Sequence, residues 1–315
     1  MNSAPIESVP TAITAFVGDN HHVVDDAVRD FVDHGGTQQV TLSTLEALAD
    51  VDLFNLLCVL PDTSAGDVSP ETWQAALRVC VERRAMLIVD PPAAWTDAAT
   101  AAASVGDLGL TGDDARNAAL YFPRATDRVA CGAIAGVIAR TDATRGVWKA
   151  PAGGEATLGF ELQYPLTNDD SGRLNVAGIN SLRLFPVYGS VIWGARTMRG
   201  ADAFADDYKY IPVRRLALNI EESVSRGLPW TIWQPNDVQL WSQIRQSVET
   251  FLTDLWRQGA FAGAKPSEAF FVKCDETTMT AADIEQGIVN VTIGFAPAQP
   301  AEFVILYIQL MAAAP

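Results

Sequence analysis

The chain has 315 residues, enough for two domains or one large one, and its 49% hydrophobic against 19% charged residues describe a globular protein with a sizeable core. A formal net charge of −16 argues against nucleic acid and anionic membrane surfaces, both of which call for a Lys/Arg excess. The start, "MNSAPIESVP", lacks the basic and apolar parts of a secretory signal, and four widely spaced cysteines without a CxxC fit buried thiols in a reducing compartment.

Ile13–Val17 reads as a short strand ending at Gly18. Leu53–Leu60 is a continuous apolar run closed by Pro61-Asp62, as expected of a strand buried on both faces. Ser69-Pro70-Glu71 then opens a helix, with Ser as cap, Pro in the first turn and Glu at the positive end of the dipole. Trp73, Leu77 and Cys80 form its inner stripe. Met86–Val89 is the next strand, and the strand–helix–strand spacing implies a parallel sheet with right-handed crossovers. Residues 93–118 mix helix with loop, and Tyr121-Phe122-Pro123 is a brief strand. Val129–Arg140 is a helix of small residues able to pack closely. Its apolar core, Val129–Ala139, has about half of the roughly 20 residues needed to cross a bilayer. The Gly-, Thr-, Asn- and Asp-rich stretch 141–175 marks a domain boundary.

In the second half, Arg214–Arg226 turns Leu216, Ile220 and Val224 to one side and stops at Gly227. Pro235-Asn236-Asp237 begins a longer helix, in which Leu240, Ile244, Val248, Phe251/Leu252 and Leu255 recur at helical spacing up to Gly259. Strands are expected at Ser190–Trp193, Trp230–Trp233, Ala269–Lys273, Ile288–Phe295 and Phe303–Leu310. The last is apolar on both faces and lies at the terminus, where an uncovered strand edge invites aggregation.

Catalytic signals are weak throughout. The turn after the first strand, "FVGDNHHVV", lacks the glycines that let backbone approach a pyrophosphate, and no GxxxxGK[ST] occurs. Asp90 at a strand's end has the place of a ribose- or metal-binding carboxylate, but two following prolines favour a turn cap. His21-His22 with Asp25 and Asp26 read as a solvated helix start, not as a metal cluster. Glu221-Glu222 point about 100° apart on a helix and do not form an acid/base pair. No catalytic, cofactor-binding or metal-binding residue is assigned.

Several stretches together resemble the contractile sheath family: tail sheath proteins of contractile phages, R-type pyocins and extracellular contractile injection systems. They are "PIESVPTAITAFVG" (5–18), "DVDLFNLLCVLP" (50–61), "RRAMLIVDPP" (83–92) and "CGAIAGVIARTDATRGVWKAPAG" (131–153). The series continues with "VAGINSLRLFPVYGSVIWGART" (176–197), "YKYIPVRRLALNIEESVSRGLPWTIWQPND" (208–237), "LWSQIRQSVETFLTDLWRQGAFAGAKPSEAFFVKCD" (240–275) and "GFAPAQPAEFVILYI" (294–308).

The resemblance implies a structural subunit without catalysis or cofactor, α/β in its first half and α+β in its second. Subunits would stack as hexameric rings around an inner tube, bounded by baseplate and terminal cap proteins, and contract to drive the tube through a target envelope. It also implies assembly in the bacterial cytoplasm, with possible release as part of a particle, and neither nucleic-acid binding nor membrane insertion. The expected layout is an N-terminal α/β portion at 1–155, a C-terminal sheath domain at 156–300, and an arm at 301–315 that donates a strand to a neighbour. Phe303, Val304, Ile305, Leu306, Tyr307 and Ile308 are the candidate donated strand; Val289, Val291 and Ile293 belong to the candidate receiving strand. Two prolines in "APAQP" (296–300) favour an extended spacer between them. Arg245, Glu249 and Arg257, on the polar side of the long helix, are candidates to face the inner tube, although Arg245 and Glu249 also have the spacing of a solvated i,i+4 pair. Family members usually begin with an arm containing something like "PGVYVEE". Only four residues precede the matched start here, implying a naturally armless form used at one end of the sheath or a shortened start. The rival from another class is a monomeric α/β nucleotide-dependent enzyme.

Overall fold

The computed structural model describes residues 5–10, 13–298 and 304–311, with Ile13 and 304–311 described by backbone alone. The chain divides into two compact units, one formed by Pro10–Arg215 and the other by Met1–Val9 with Leu216–Pro315.

In the larger unit the elements run β1 (Ile13–Val17), α1 (His21–Asp33), β2 (Gln38–Leu42), β3 (Leu56–Val59), α2 (Pro70–Glu82), β4 (Met86–Val89) and α3 (Ala98–Ser104). They continue with β5 (Ala118–Phe122), α4 (Cys131–Arg145), α5 (Asn168–Val176), β6 (Asn180–Phe185) and β7 (Gly189–Trp193). The sheet order is β2-β1-β3-β4-β5-β6-β7, parallel up to β6 and antiparallel at the β6–β7 hairpin. Strand residues alternate between two cores. Phe16, Leu56, Cys58, Met86, Ile88 and Tyr121 pack with α1 and α4. Ala15, Val17, Leu57, Val59, Leu87, Val89 and Leu120 pack with α2, α3 and α5. That double covering is why these strands read as unbroken apolar runs.

The small residues of α4 bring it close to α1: a Cβ on Gly132 would lie 2.2 Å from the Ala27 carbonyl oxygen, and one on Gly136 2.4 Å from that of Phe31. The Asp90 carboxylate accepts the backbone N–H of Ala130 at 3.2 Å and of Cys131 at 3.4 Å, so it caps α4. Burial pushes its pKa up, against these donors and Arg124. Asn20 likewise caps α1, leaving His21 and His22 exposed at the helix start.

In the smaller unit, residues from Leu216 onward belong to α6 (Ile211–Gly227), followed by α7 (Val238–Arg257), α8 (Pro266–Ala269), β8 (Phe270–Lys273), α9 (Ala281–Glu285), β9 (Ile288–Phe295) and β10 (Val304–Met311). The expected inner stripes of α6 and α7 are buried, and Asp237 caps α7 by accepting from the N–H groups of Gln239 and Leu240. Phe261, Phe270 and Phe295 cluster beneath the sheet with ring centroids 6.0 and 5.6 Å apart. The N-terminal segment is fastened to α6: the Val9 N–H donates to Ser223 Oγ at 3.0 Å, and Asn219 Nδ2 donates to the Val9 carbonyl at 3.2 Å.

Three expectations differ from the structure. The division into compact units falls between Arg215 and Leu216 instead of near 155, because β6 pairs with β5 and residues 153–158 bond to β7. Trp230–Trp233 is not a strand: Pro229–Thr231 forms a 3₁₀ turn, favoured by a proline at its first position. Strands β2 and β6 gave no signal in the pattern. The first is a polar, half-exposed edge and the second carries Asn180 and Arg183 among its apolar residues.

Candidate assembly interface

The smaller sheet has the order β10-β9-β8, antiparallel throughout. β9 is paired along its whole length with β10, from Phe295↔Val304 to Ile288↔Met311, and along its second half with β8, from Phe295↔Phe270 to Thr292↔Lys273. The donor candidates Val304, Ile305, Leu306, Tyr307 and Ile308 therefore lie on an edge strand against β9 of the same chain; Phe303 lies outside the described residues.

The receiving candidates Val289, Val291 and Ile293 are 1%, 1% and 0% exposed, so their side chains belong to the interior. What β9 offers a neighbouring strand is its row of backbone N–H and C=O groups, whose pairing does not depend on which chain supplies the partner. The start of the "APAQP" segment is fastened to its own unit: the Ala296 N–H donates to the Ala269 carbonyl, and its own carbonyl accepts from Ala262.

The three polar candidates on α7 occupy different environments. Arg245 is half-buried and donates from Nη1 to the Cys274 carbonyl at 3.2 Å, holding the end of β8. Burial pushes the Cys274 thiol up to about 12, with Arg245 opposing it. Glu249 is exposed. Arg257 is also exposed and pairs with Asp254 at 2.9 Å, one turn back on the same helix.

Residues inside the quoted stretches have mechanical duties. Arg215 makes a two-pronged ion pair with Asp142 of α4 at 2.8 and 2.7 Å, and Arg214 donates to Asn117 at 2.9 Å. Arg196 Nη1 binds the carbonyls of Asn175 and Gly200 and the Asp202 carboxylate, while Asn180 ties β6 to Leu120 and Arg196. Gly146, at φ +90°, lies where a Cβ would meet the Trp148 ring at 2.3 Å.

The strand order 2-1-3-4-5 places a crevice at the carboxyl ends of β1 and β3, the position where open α/β sheets bind ligands. That crevice, of about 410 Å³, is lined by Asp19, Glu46, Asp62 and Asp67 as well as Ser43 and Thr44. Four carboxylates repel phosphate, and Asp67 is already engaged by Arg124 at 2.6 Å and by the Ala93 N–H. Among the described residues no group of three or more His, Cys, Asp or Glu is placed to hold a metal ion. No helix among them is long and apolar enough to cross a membrane.

Two features gave no signal in the sequence: the anchoring along α6 of Ile6, whose side chain lies against Gly227, and of Val9, and the exposed loop 229–238. "PIESVP" has no periodicity to read, and the alternation in "WTIW" imitates a strand.

Two family descriptions match this chain, phage tail sheath protein central domain over residues 36–198 and phage tail sheath C-terminal domain over 205–311. The chain is 28% identical over 178 residues to the tail sheath protein of Vibrio phage KVP40 (isolate Vibrio parahaemolyticus/Japan/Matsuzaki/1991), covering 56% of this chain and 25% of that one. It thus spans about a quarter of the length of that curated relative. Among solved structures, the sheath complex of an extracellular contractile injection system, PVC, in its contracted state matches with a TM-score of 0.81 at 27% identity, covering 97% of this chain and 94% of that one. A chain of the anti-feeding prophage baseplate in its contracted state matches with a TM-score of 0.81 at 28% identity, covering 97% and 95%.

Proposed function

The chain belongs to the phage tail sheath family, and from that premise we propose that it is a structural subunit of a contractile sheath. Copies stack as hexameric rings around an inner tube, and contraction drives the tube through a target envelope. The observation that carries this reading is likeness over 97% of the chain to a contractile injection system sheath. The work comes from repacking of subunits, so no cofactor or catalytic group takes part. Assembly takes place in the bacterial cytoplasm, and the finished particle acts outside it. Partners are further copies, the inner tube, the baseplate and a terminal cap, without nucleic acid or membrane insertion.

Copies are joined by exchange of β10. Eight residues, 296–303, connect β9 to β10, and moving β10 onto a neighbour's β9 in the same register preserves every ladder hydrogen bond. Exchange therefore costs little in bonding while linking bodies that rotate against each other. The tube faces the exposed side of α7, with Glu249 and Arg257 as contacts and Arg245 as their internal support. A second reading, a ring at the baseplate end of the same machine, is favoured by the equally close match to the anti-feeding prophage baseplate chain.

The test is co-expression with the inner tube protein followed by negative-stain microscopy. Long striated sheaths are expected for the first reading and a single terminal ring for the second. Bare tubes beside monomers that show nucleotide-dependent thermal stabilisation would support the enzyme alternative instead.

A further inference from the structure

Trp233 has a bulky side chain in the left-handed backbone region, at φ +70°, and is nevertheless 72% exposed. Left-handed backbone is costly for a residue with a Cβ and is a marked outlier for one this large. Such strain persists where the surrounding structure over-determines it, and here packing of the side chain does not supply that constraint. The surrounding loop holds the conformation from both sides. The Thr231 hydroxyl donates to the Leu228 carbonyl at 2.8 Å and the Gln234 N–H to Thr231 at 3.1 Å. Asn236 accepts from Trp241 Nε1 at 2.7 Å and donates to the Ile288 carbonyl at 3.1 Å. The indole is thus presented outward on a rigid support.

Ile232, beside it in the loop, and Val238, the first residue of α7, are also exposed, 39% and 71%. The Trp230 indole N–H, buried in the same turn, has no hydrogen-bond partner among the described residues. From Leu228 to Val238 the only charged residue is Asp237, and its carboxylate is engaged in capping α7.

We propose that Trp233, with Ile232 and Val238, is the apolar anchor by which a second copy of this chain docks beside the β9–β10 ladder. The proposal rests on the sheath reading for its occupant, and two observations select a second copy. Asn236 fixes this loop to Ile288, the residue paired with Met311 at the end of β10, so a copy exchanging β10 brings its own strand end to the β9 residue that holds the loop. The patch is also uncharged in a chain of net charge −16, giving two mutually repelling copies a place to meet without opposing carboxylates. A preorganised exposed tryptophan has the composition and rigidity of an interface hot spot.

The decisive experiment replaces Trp233 with the photocrosslinker p-benzoylphenylalanine in the full chain, co-expressed with the tube protein and irradiated. A crosslinked dimer of this chain, mapped to a second copy's C-terminal region, is expected. Adducts to the tube protein, or none, would overturn the proposal. In parallel, Trp233→Ala is expected to remain monomeric and folded with at least a tenfold lower sheath yield, whereas wild-type yield would refute the anchor. Trp233→Gly should melt above Trp233→Ala, since glycine tolerates the positive φ. Deleting 301–315 tests strand exchange separately: if that deletion still polymerises, strand exchange fails while the crosslink still reports on the patch.

Discussion

The two units solve the same problem, how to finish a sheet, in opposite ways. The larger unit covers both faces of its central strands with helices. It closes the β7 edge with residues 153–158 and leaves β2 as an edge studded with Gln38, Gln39 and Thr41. Polar, half-exposed edges of this kind discourage further strands. Among its described residues the smaller unit has three strands, with β10 and β8 as the edges of their sheet, and its neighbouring loop exposes Trp233. On the proposed reading, one unit is self-sufficient and the other is completed by a neighbouring copy. The contrast implies that damage to the larger unit is read as lost stability and damage to the smaller as lost assembly.

The largest expected effect breaks the smaller unit's side of that contrast. Leu306→Pro removes a ladder donor from β10, because alternation along β9 turns the backbone of Ile293, its partner, toward β10, and deletion of 301–315 removes the strand altogether. Both proteins should stay soluble with a cooperative melt, yet form no sheath by electron microscopy. Aggregation of the truncated chain, or normal sheaths from it, would mean that β10 is a core strand of its own subunit.

In the larger unit, Arg215 and Asp142 form a buried pair whose side chains are 4% and 1% exposed. Removing one partner strands the other's charge, so Arg215→Met should destabilise by about 3–5 kcal/mol, whereas the double change Arg215→Met with Asp142→Leu should recover much of that. Chemical denaturation of the three variants gives the comparison. Next comes Gly132→Val. Its added atoms would enter the Ala27 carbonyl in α1, and the backbone shift should cost about 3 kcal/mol, near the upper end of overpacking penalties. Sheath formation by whatever folds should survive both sets of changes if the division of labour is right.

How much of this was legible in the sequence follows the same division. The continuous runs Leu56–Val59 and Met86–Val89, the Ser69-Pro70 helix start and the α7 stripe report burial and capping, which are local and periodic. Strand β2 was silent because an exposed edge carries no apolar pattern. The boundary near 155 was misplaced because pairing of β6 with β5 is a long-range event, hidden behind a loop-like composition. The terminal strand's two apolar faces were visible, but which chain it pairs with depends on backbone bonds that every residue can make.

Acidification offers a smaller and sharper probe of the larger unit. Burial pushes the Asp206 carboxyl up, but Arg116 and Arg199, together with the Tyr208 N–H, outweigh it and hold the group below the usual aspartate range. A depressed carboxylate contributes stability that is present above its unfolded value and lost as pH falls through its folded one. Asp30 and Asp90 act in the opposite sense. Burial raises both, so they weaken the fold as pH climbs through their raised values, and the wild-type acid limb is a sum of opposing parts. Asp206→Asn isolates one part: its stability deficit should be largest near neutrality and shrink below the ordinary aspartate range. A deficit independent of pH would show that Asp206 acts through shape alone.

The smallest effect on stability is expected at Arg257, and for that reason it tests function most cleanly. Its ion pair with Asp254 joins side chains that are 68% and 57% exposed, a geometry worth a few tenths of a kcal/mol and screened by salt. Arg257→Glu should therefore leave the melting temperature nearly unchanged. Arg245 is unsuited to the same test, because its guanidinium supports the Cys274 carbonyl and reversing it would disturb β8. If the exposed side of α7 meets the inner tube, Arg257→Glu and Glu249→Arg should each reduce the fraction of tubes that become sheathed, more strongly at low ionic strength than at high. A salt-independent loss would point to packing instead of charge. Sheathing at wild-type levels in both variants would remove α7 as the tube contact and leave the smaller unit's role confined to joining copies of itself.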